Sequence, residues 1–272
     1  MKKIGILLIA FIAFFNAKAQ DNDTTLIRNL KVAEVKKKLF VHAFENNKDS
    51  CLYTHRKFND MGKLTYEKTD MTCMGWPSYE EMFFSYSGEL VTKINLNRDG
   101  IPFNTIQYTY PKKSKHAELI KTNFHQTNDS TIERNTYFAD KKDRLDSTIT
   151  YTVLQDGSKQ QRKTIARYNK QGDLVQLFVL NELDLPTEMV NYDVDENGLV
   201  NSMAFTTYGE KPDFTQVFYA YDQKGRVSSS YNSINQKTEY YYLPNGLIGN
   251  ILNYNPKGAL EAEYIFSYTY YK

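Results

Sequence analysis

One short pattern recurs along this chain of 272 residues: an aromatic residue, then glycine four positions later, then Leu, Val or Ile two positions after the glycine. Six copies keep this spacing, and a seventh has two extra residues between Tyr192 and Gly198. Asn, Asp, Lys or Gln precede most of these glycines, which is the chemistry of tight turns. The pattern therefore predicts chain reversals at Gly62, Gly88, Gly172, Gly198, Gly225, Gly246 and Gly258.

Between the predicted turns the residue types alternate. Ile106, Tyr108 and Tyr110 share one parity, while the polar residues between them take the other. A period of two over such short runs predicts strands. Counting from turn to turn gives about 18 antiparallel strands of roughly 7 to 12 residues. After residue 198 we expect strands near 199–208, 214–222, 226–232, 237–243, 247–254 and 259–271.

The predicted fold is all-β, a long antiparallel meander. Eighteen strands spaced by about 4.8 Å would form a sheet some 85 Å wide, and twist makes such sheets curl, split or close. We expect a curled sheet or open tube with an aromatic and aliphatic interior and strand edges exposed at both ends. Residues 20–272 are predicted to form one domain, with the repeats clearest over 165–272. Residues 20–49 are compatible with a helix or a strand, and strand is favoured because strands follow.

The first 19 residues have the pattern of a signal peptide. Lys2 and Lys3 precede an uncharged, mostly apolar run at residues 4–15, and Ala17-Lys18-Ala19 supplies a small-x-small cleavage site. A short N-terminal core helix is the weaker alternative. Cleavage after Ala19 would leave 31 basic against 32 acidic residues. The sequence thus predicts export to the periplasm or beyond, and its near-neutral charge argues against nucleic acid as a partner.

Two cysteines, Cys51 and Cys73, are predicted to form a disulfide bond, because thiols tend to pair in an oxidising compartment. Gly62 lies midway between them, so a reversal there would bring them onto the same face of neighbouring strands. The alternative is two buried free thiols.

Catalytic and metal-binding patterns are weak. His42, His55, His116 and His125 have no metal-site spacing, and no nucleophile, phosphate or dinucleotide motif occurs. Residues 193–198 resemble the opening of a calcium loop, but its twelfth position is Ala204 rather than Glu. We therefore predict an acidic turn there, no metal, no cofactor and no catalytic residue.

Trp76 is the only tryptophan and stands in the irregular stretch Gly75-Trp76-Pro77-Ser78-Tyr79. With Tyr79 it forms a candidate ligand-binding pair that could stack on a sugar ring or anchor a partner. The favoured interpretation is that Trp76 covers one open end of the sheet.

The segment Tyr221-Asp222-Gln223-Lys224-Gly225-Arg226-Val227 resembles the tyrosine–aspartate (YD, or RHS-like) repeat of bacterial envelope and secreted proteins. The resemblance covers roughly residues 50–272. Some copies depart from the repeat. Asn59, Asn169 and Asn255 stand in place of Asp in three copies, and Leu243 does so in another. The segment Lys142-Asp143-Arg144 lacks the glycine. Large RHS proteins wind such arrays into a closed shell around a toxin, for which this chain is too short. The resemblance therefore implies a hairpin-built β-scaffold without toxin delivery.

These observations predict an exported, non-enzymatic scaffold that binds a protein partner in the cell envelope or outside the cell. The alternative is a glycan-binding module that uses exposed aromatic residues around Trp76. An outer-membrane barrel is disfavoured because residues 159–163 carry charges at both strand parities.

Overall fold

The computed structural model describes residues 24–42, 50–112, 114, 116–209 and 212–272. The predicted signal peptide, residues 1–19, lies outside the described residues. Within them the chain forms one α-helix, α1 (Thr24–Asn29), one 3₁₀ helix (Met71–Met74) and eighteen strands. The strands are β1 (Val32–Val41), β2 (Cys51–Phe58), β3 (Leu64–Asp70), β4 (Tyr79–Ser87), β5 (Leu90–Arg98), β6 (Ile101–Thr109), β7 (Leu119–Phe124), β8 (Asp129–Ala139), β9 (Leu145–Val153), β10 (Lys159–Tyr168), β11 (Leu174–Leu180), β12 (Pro186–Val194), β13 (Val200–Thr207), β14 (Asp213–Tyr221), β15 (Val227–Asn232), β16 (Lys237–Tyr242), β17 (Ile248–Tyr254) and β18 (Leu260–Tyr270).

The sheet is a closed antiparallel barrel. Each strand pairs with its predecessor, and β1 also pairs with β18, from Val32 opposite Tyr270 to Val41 opposite Ala262. The prediction of an all-β antiparallel meander is confirmed, but the expectation of an open tube with two exposed edges is wrong. Closure satisfies the backbone groups that an edge strand would leave unpaired.

The six strands expected after residue 198 agree with β13 to β18 to within about one residue. The ambiguous segment 20–49 contains both alternatives, because α1 precedes β1. None of the helices in the described part of the chain has the length and apolar character that crossing a membrane requires.

Eight of the described turns share one geometry, seen in the turn after β14. The N–H of Asp222 donates to the carbonyl of Arg226 at 2.8 Å, and Asp222 Oδ1 accepts from the N–H groups of Lys224 and Arg226 at 2.9 and 3.0 Å. Gly225 takes φ +71°, where a Cβ would be strained. The same contact from an Asn or Asp side chain to the N–H four residues later occurs at Asn59, Asp140, Asn169, Asn181, Asp195, Asn232 and Asn255.

All seven predicted turn glycines have positive φ, from 57° to 104°. Asp143, Asp184 and Asn235 take the same left-handed conformation at 59°, 55° and 62° where the sequence has no glycine. Asn and Asp tolerate this conformation better than other residues with a Cβ. This explains how the chain turns at Lys142-Asp143-Arg144 without the repeat glycine.

Alternating side chains give the barrel an inner and an outer face. Val35, Phe58 and Phe266 share one face with α1, whose Ile27 packs against them and is 1% exposed. Side chains converge on the concave side of a closed sheet, so we assign this more buried face to the interior. Lys36 and Lys38 project from the opposite, outer face of β1 and are exposed.

The apolar core is divided between two clusters of neighbouring strands. One joins α1 to Val32, Val35, Phe58, Leu247, Ile248 and Phe266; the other contains Val190, Tyr192 and Val200. Neither cluster joins opposite walls of the barrel. Eighteen strands give a perimeter of roughly 85 Å, so a circular cross-section would be about 30 Å across.

Tyrosine hydroxyls fasten the hairpins at one end of the barrel. In seven hairpins of the described chain, a tyrosine at or next to the end of an even-numbered strand donates to a carbonyl at or near the start of the preceding strand, at 2.7–2.9 Å. The pairs are Tyr86–Leu64, Tyr110–Val91, Tyr137–Ala117, Tyr168–Leu145, Tyr221–Val200, Tyr242–Val227 and Tyr268–Ile248. We call this end, with the turns that follow even-numbered strands, the tyrosine rim.

Candidate binding surfaces

The opposite end, formed by the turns that follow odd-numbered strands, contains Trp76; we call it the tryptophan rim. The segment before Trp76 is held by its own hydrogen bonds. Asp70 Oδ1 accepts from the Thr72 N–H at 3.0 Å, and Gly75, at φ +81°, ends the 3₁₀ helix. The Trp76 N–H donates to the Met71 carbonyl at 3.1 Å. These contacts fix the backbone that leads into Trp76.

A disulfide bond joins Cys51 at the start of β2 to Cys73, with the Cα atoms 5.6 Å apart. Cys73 lies in the 3₁₀ helix beyond β3 rather than on a neighbouring strand, which differs from the geometry that we expected. The bond therefore fastens the Trp76 segment to the barrel wall. The Trp76 side chain is 68% exposed, so it does not cover an open sheet end.

Tyr79 does not combine with Trp76 into a stacking platform. Lys68 Nζ lies 4.0 Å from the centroid of the Tyr79 ring, so that ring already has a cationic neighbour. The Tyr79 backbone N–H donates to Asp99 Oδ1 at 2.9 Å, which holds the start of β4 against the β5–β6 turn. Among the described residues no aromatic pair joins Trp76 to Tyr79.

A second surface lies on the outer face of β14 to β16. Phe214 and Phe218 project from the same side of β14, and Phe218 stacks on Tyr231 with ring centroids 4.8 Å apart and an interplanar angle of 14°. Phe214 is 56% exposed, Tyr231 is 48% exposed and Tyr241 is 51% exposed. We call Phe214, Phe218, Tyr231 and Tyr241 the aromatic strip.

The side chains that flank the aromatic strip on β13 are uncharged. Ser202 pairs with Phe218, Ala204 with Gln216 and Thr206 with Phe214 across β13. On β16 a Lys237–Glu239 ion pair at 2.6 Å lies between Tyr231 and Tyr241, with Lys237 opposite Tyr231. Exposed aromatic rings beside uncharged side chains, as on β13 and β14, are typical of the cores of protein interfaces.

Arginine–tyrosine units recur at the tyrosine rim. Arg226 donates twice to Asp222 Oδ2, at 2.8 and 2.6 Å, and its guanidinium lies 4.0 Å from the Tyr242 ring centroid. Arg144 holds Asp140 in the same way and lowers the pKa of Asp140 to about 2 through these hydrogen bonds. Burial raises the pKa of Tyr242 to about 12. These tyrosines therefore stay neutral hydrogen-bond donors well above neutral pH, which fits a structural role.

The remaining candidates from the sequence have structural partners. His125 Nε2 lies 2.8 Å from Thr105 Oγ1, and His116 stacks on Tyr137. Asp195 Oδ1 accepts from the N–H groups of Asn197 and Leu199, both at 2.8 Å, so the calcium-like segment is an Asx turn. In the described part of the chain, no three His, Cys, Asp or Glu side chains come together in a way that would hold a metal ion.

No protein-family model and no curated protein matches the chain. Among solved structures it is similar to a porin-like protein from Bacteroides uniformis, at 10% identity and a TM-score of 0.44, covering 88% of this chain and 98% of that one. A porin-like protein from Bacteroides vulgatus gives 10% identity, a TM-score of 0.32 and the same coverages of 88% and 98%. The TcdB2-TccC3-TEV structure gives 12% identity and a TM-score of 0.36, covering 76% of this chain and 14% of that one. These comparisons assign neither a family nor a function, and membership of the YD-repeat family is not confirmed.

Proposed function

We propose that this protein is an exported, non-enzymatic β-barrel scaffold that binds a protein partner through the aromatic strip. The observation that carries the proposal is an outer sheet surface with two exposed rings, Phe214 and Tyr231, beside uncharged side chains of β13. Aromatic side chains on a rigid backbone lose little conformational entropy on binding and dominate interface energetics.

The strip differs from the other aromatic residues of the outer face. Phe138 on β8 is 44% exposed, but Arg134 on the same face of that strand is also exposed. Phe138 is a single ring, whereas stacked Phe218 and Tyr231 with nearby Phe214 offer a larger apolar contact. Phe138 therefore provides a matched control for the strip.

The outer face also supports an aqueous rather than a lipid-embedded wall. Lys36 and Lys38 on β1, and Lys159 and Arg167 on β10, project outward and are exposed. A transmembrane barrel needs an outward apolar band about 25 Å tall, and charges within that band are destabilising. Lys36 and Lys38 stand in the middle of β1, where such a band would lie, while Lys159 and Arg167 stand near the two ends of β10. The charges on β1 therefore favour a barrel that stands in water.

The non-enzymatic part of the proposal rests on the absence of a convergent set of groups. A hydrolase needs a nucleophile, a base and an oxyanion donor within hydrogen-bond reach of one another. In the described residues the histidines and the strongest ion pairs, such as Arg226–Asp222, belong to turns or to pairs of neighbouring strands. Incubation of the purified chain with ester, peptide and glycoside substrates is expected to give no turnover.

The test is site-specific cross-linking in cells that produce the protein. A photoreactive residue at Tyr231 should capture one partner protein, and F214S in the same chain should abolish that capture. The matched variant F138S should leave the capture unchanged. Equal loss with F138S, or no protein cross-link from Tyr231, would refute the assignment of the strip. Retention on a glycan array that W76A abolishes would instead favour the glycan-binding alternative.

A further inference from the structure

Exposed apolar residues are concentrated in the turns of the tryptophan rim. Trp76 is 68% exposed, Leu183 72% and Ile234 62%, and each stands at or near the tip of a different connection. Ile101, at the β5–β6 turn, is 62% exposed. Large exposed aliphatic and indole side chains at turn tips are unusual, because turn positions normally favour small and polar residues.

The tyrosine rim has the opposite character. Its exposed turn positions carry charges, including Asp60, Lys142, Lys170, Glu196 and Lys224. Met61 is the one large apolar residue that stands exposed in a described turn of this rim, at 49%. The two ends of the same barrel are built from similar turns, so the difference reflects side-chain choice rather than turn geometry.

The apolar tips surround the barrel instead of forming one patch. The β5–β6 and β15–β16 turns, which carry Ile101 and Ile234, are ten strands apart in one direction and eight in the other. They therefore lie on opposite sides of a barrel whose diameter is about 30 Å if circular. A flat, extended surface contacts all these tips at once, whereas a small globular partner reaches one side.

We propose that the tryptophan rim docks end-on to the surface of a zwitterionic lipid bilayer, with Trp76, Ile101, Leu183 and Ile234 inserted at the level of the headgroups. Tryptophan is enriched at this depth because its ring is amphipathic, and aliphatic tips gain from leaving water. The disulfide and the hydrogen bonds around Trp76 hold the indole outward before contact, which lowers the entropic cost of insertion. The inserted side chains are not members of the aromatic strip, which adjoins the rim where Ile234 follows Tyr231 by three residues, and the docking does not depend on a protein partner.

The charges of the same rim select among possible occupants. Its described turns carry Asp99, Asp156, Glu182 and Asp184 against Lys257 alone. This acidic excess repels anionic lipids. It also repels the tryptophan rim of a second copy, which carries the same carboxylates. A zwitterionic headgroup layer accepts the apolar tips without that repulsion.

Trp76 is the only tryptophan of the chain, so its fluorescence reports the rim directly. The experiment titrates the full chain with phosphatidylcholine vesicles and follows the Trp76 emission maximum and its quenching by brominated lipid. A blue shift and quenching are expected with phosphatidylcholine, and a weaker response with vesicles that contain phosphatidylglycerol at low salt. Co-sedimentation is not the readout, because the apolar run at residues 4–15 could itself bind vesicles.

The variant I101S/L183S/I234S keeps the reporter and removes three of its apolar neighbours. Each lost side chain should weaken partitioning about three- to tenfold, so the triple variant should bind at least about 30-fold more weakly. M61S at the tyrosine rim is the control and should bind like the unmodified chain. No Trp76 shift with phosphatidylcholine, an equal response of the triple variant, or a lipid-independent shift that grows with protein concentration would overturn the proposal.

Discussion

Removal of the Tyr242 hydroxyl should destabilise the barrel more than the loss of a single oxygen atom suggests. The hydroxyl donates to the Val227 carbonyl at 2.8 Å, and Val227 is 1% exposed, so water cannot easily replace the lost donor. An unsatisfied buried acceptor costs about 1–2 kcal/mol. In Y242F the ring remains beside Arg226, so the substitution isolates the hydrogen bond. For a chain of this size the melting temperature should fall by roughly 2–6 °C.

Y241F is the matched control, because Tyr241 is the adjacent residue, 51% exposed, with its hydroxyl bonded to Glu239 at 2.7 Å. We expect a cost below about 0.5 kcal/mol for this exposed bond. Urea unfolding of both variants, with unchanged dependence on denaturant, measures the difference in the free energy of unfolding. Equal stability of Y242F and Y241F would refute the view that the tyrosine hydroxyls fasten the hairpins.

Three further predictions concern the turns, the disulfide and alkaline pH. G62A should lower the free energy of unfolding by roughly 2–3 kcal/mol and G225A by about 1 kcal/mol. Both glycines have positive φ, but only a Cβ at position 62 would meet α1, 2.8 Å from Arg28 Cβ. Equal losses in urea unfolding would contradict the docking of α1. C51S/C73S should lower the free energy of unfolding by about 2–4 kcal/mol, since the closed loop is lost; a melting curve that is unchanged by the double substitution or by reduction would disprove this. Burial raises the pKa of Tyr219 and Tyr242 from 10.0 to about 12, so their contribution to stability is complete below pH 10 and is lost as pH rises through 12. Phenolate absorbance that follows the unfolding transition would support this, whereas titration of all tyrosines near pH 10 in the folded protein would contradict it.

The sequence predicts the hairpins of this fold well, because their determinants are local. The turn at Asp222-Gln223-Lys224-Gly225-Arg226 combines an Asx side chain with a left-handed glycine, and both are visible in the sequence. Turns at Asp184 and Asn235 escape a pattern that requires glycine, since Asp and Asn can also adopt the left-handed conformation.

Closure of the barrel could not be predicted in this way. The strand that completes it, β1, contains three consecutive lysines, which hide the alternation of inner and outer positions. Lys37 points inward, where its ammonium group lies 5.2 Å from the Tyr264 ring centroid and 5.7 Å from that of Phe266. Such a cation–π contact is not evident from a period of two.

The sequence singles out Trp76 as a candidate ligand-binding residue, but it does not show which aromatic residues are exposed. Alternation in β14 separates Phe214 and Phe218 from Tyr219 and Tyr221, but it does not show which aromatic set faces the interior. Trp76 was expected to cover an edge, yet a closed sheet has no edge to cover, and the residue stands in water. The aromatic strip and the exposed Trp76 both depend on closure of the barrel, because closure determines which face of each strand is the interior.

Hydrogen exchange of the individual amides of β1 tests that closure most directly. In the closed barrel β1 lies between β2 and β18, so the amides on both of its edges, including those opposite Phe266 and Tyr268, should be protected like those of central strands such as β12. Rapid exchange of every second amide along Val32–Val41, with protection only toward β2, would show an open sheet and contradict the barrel.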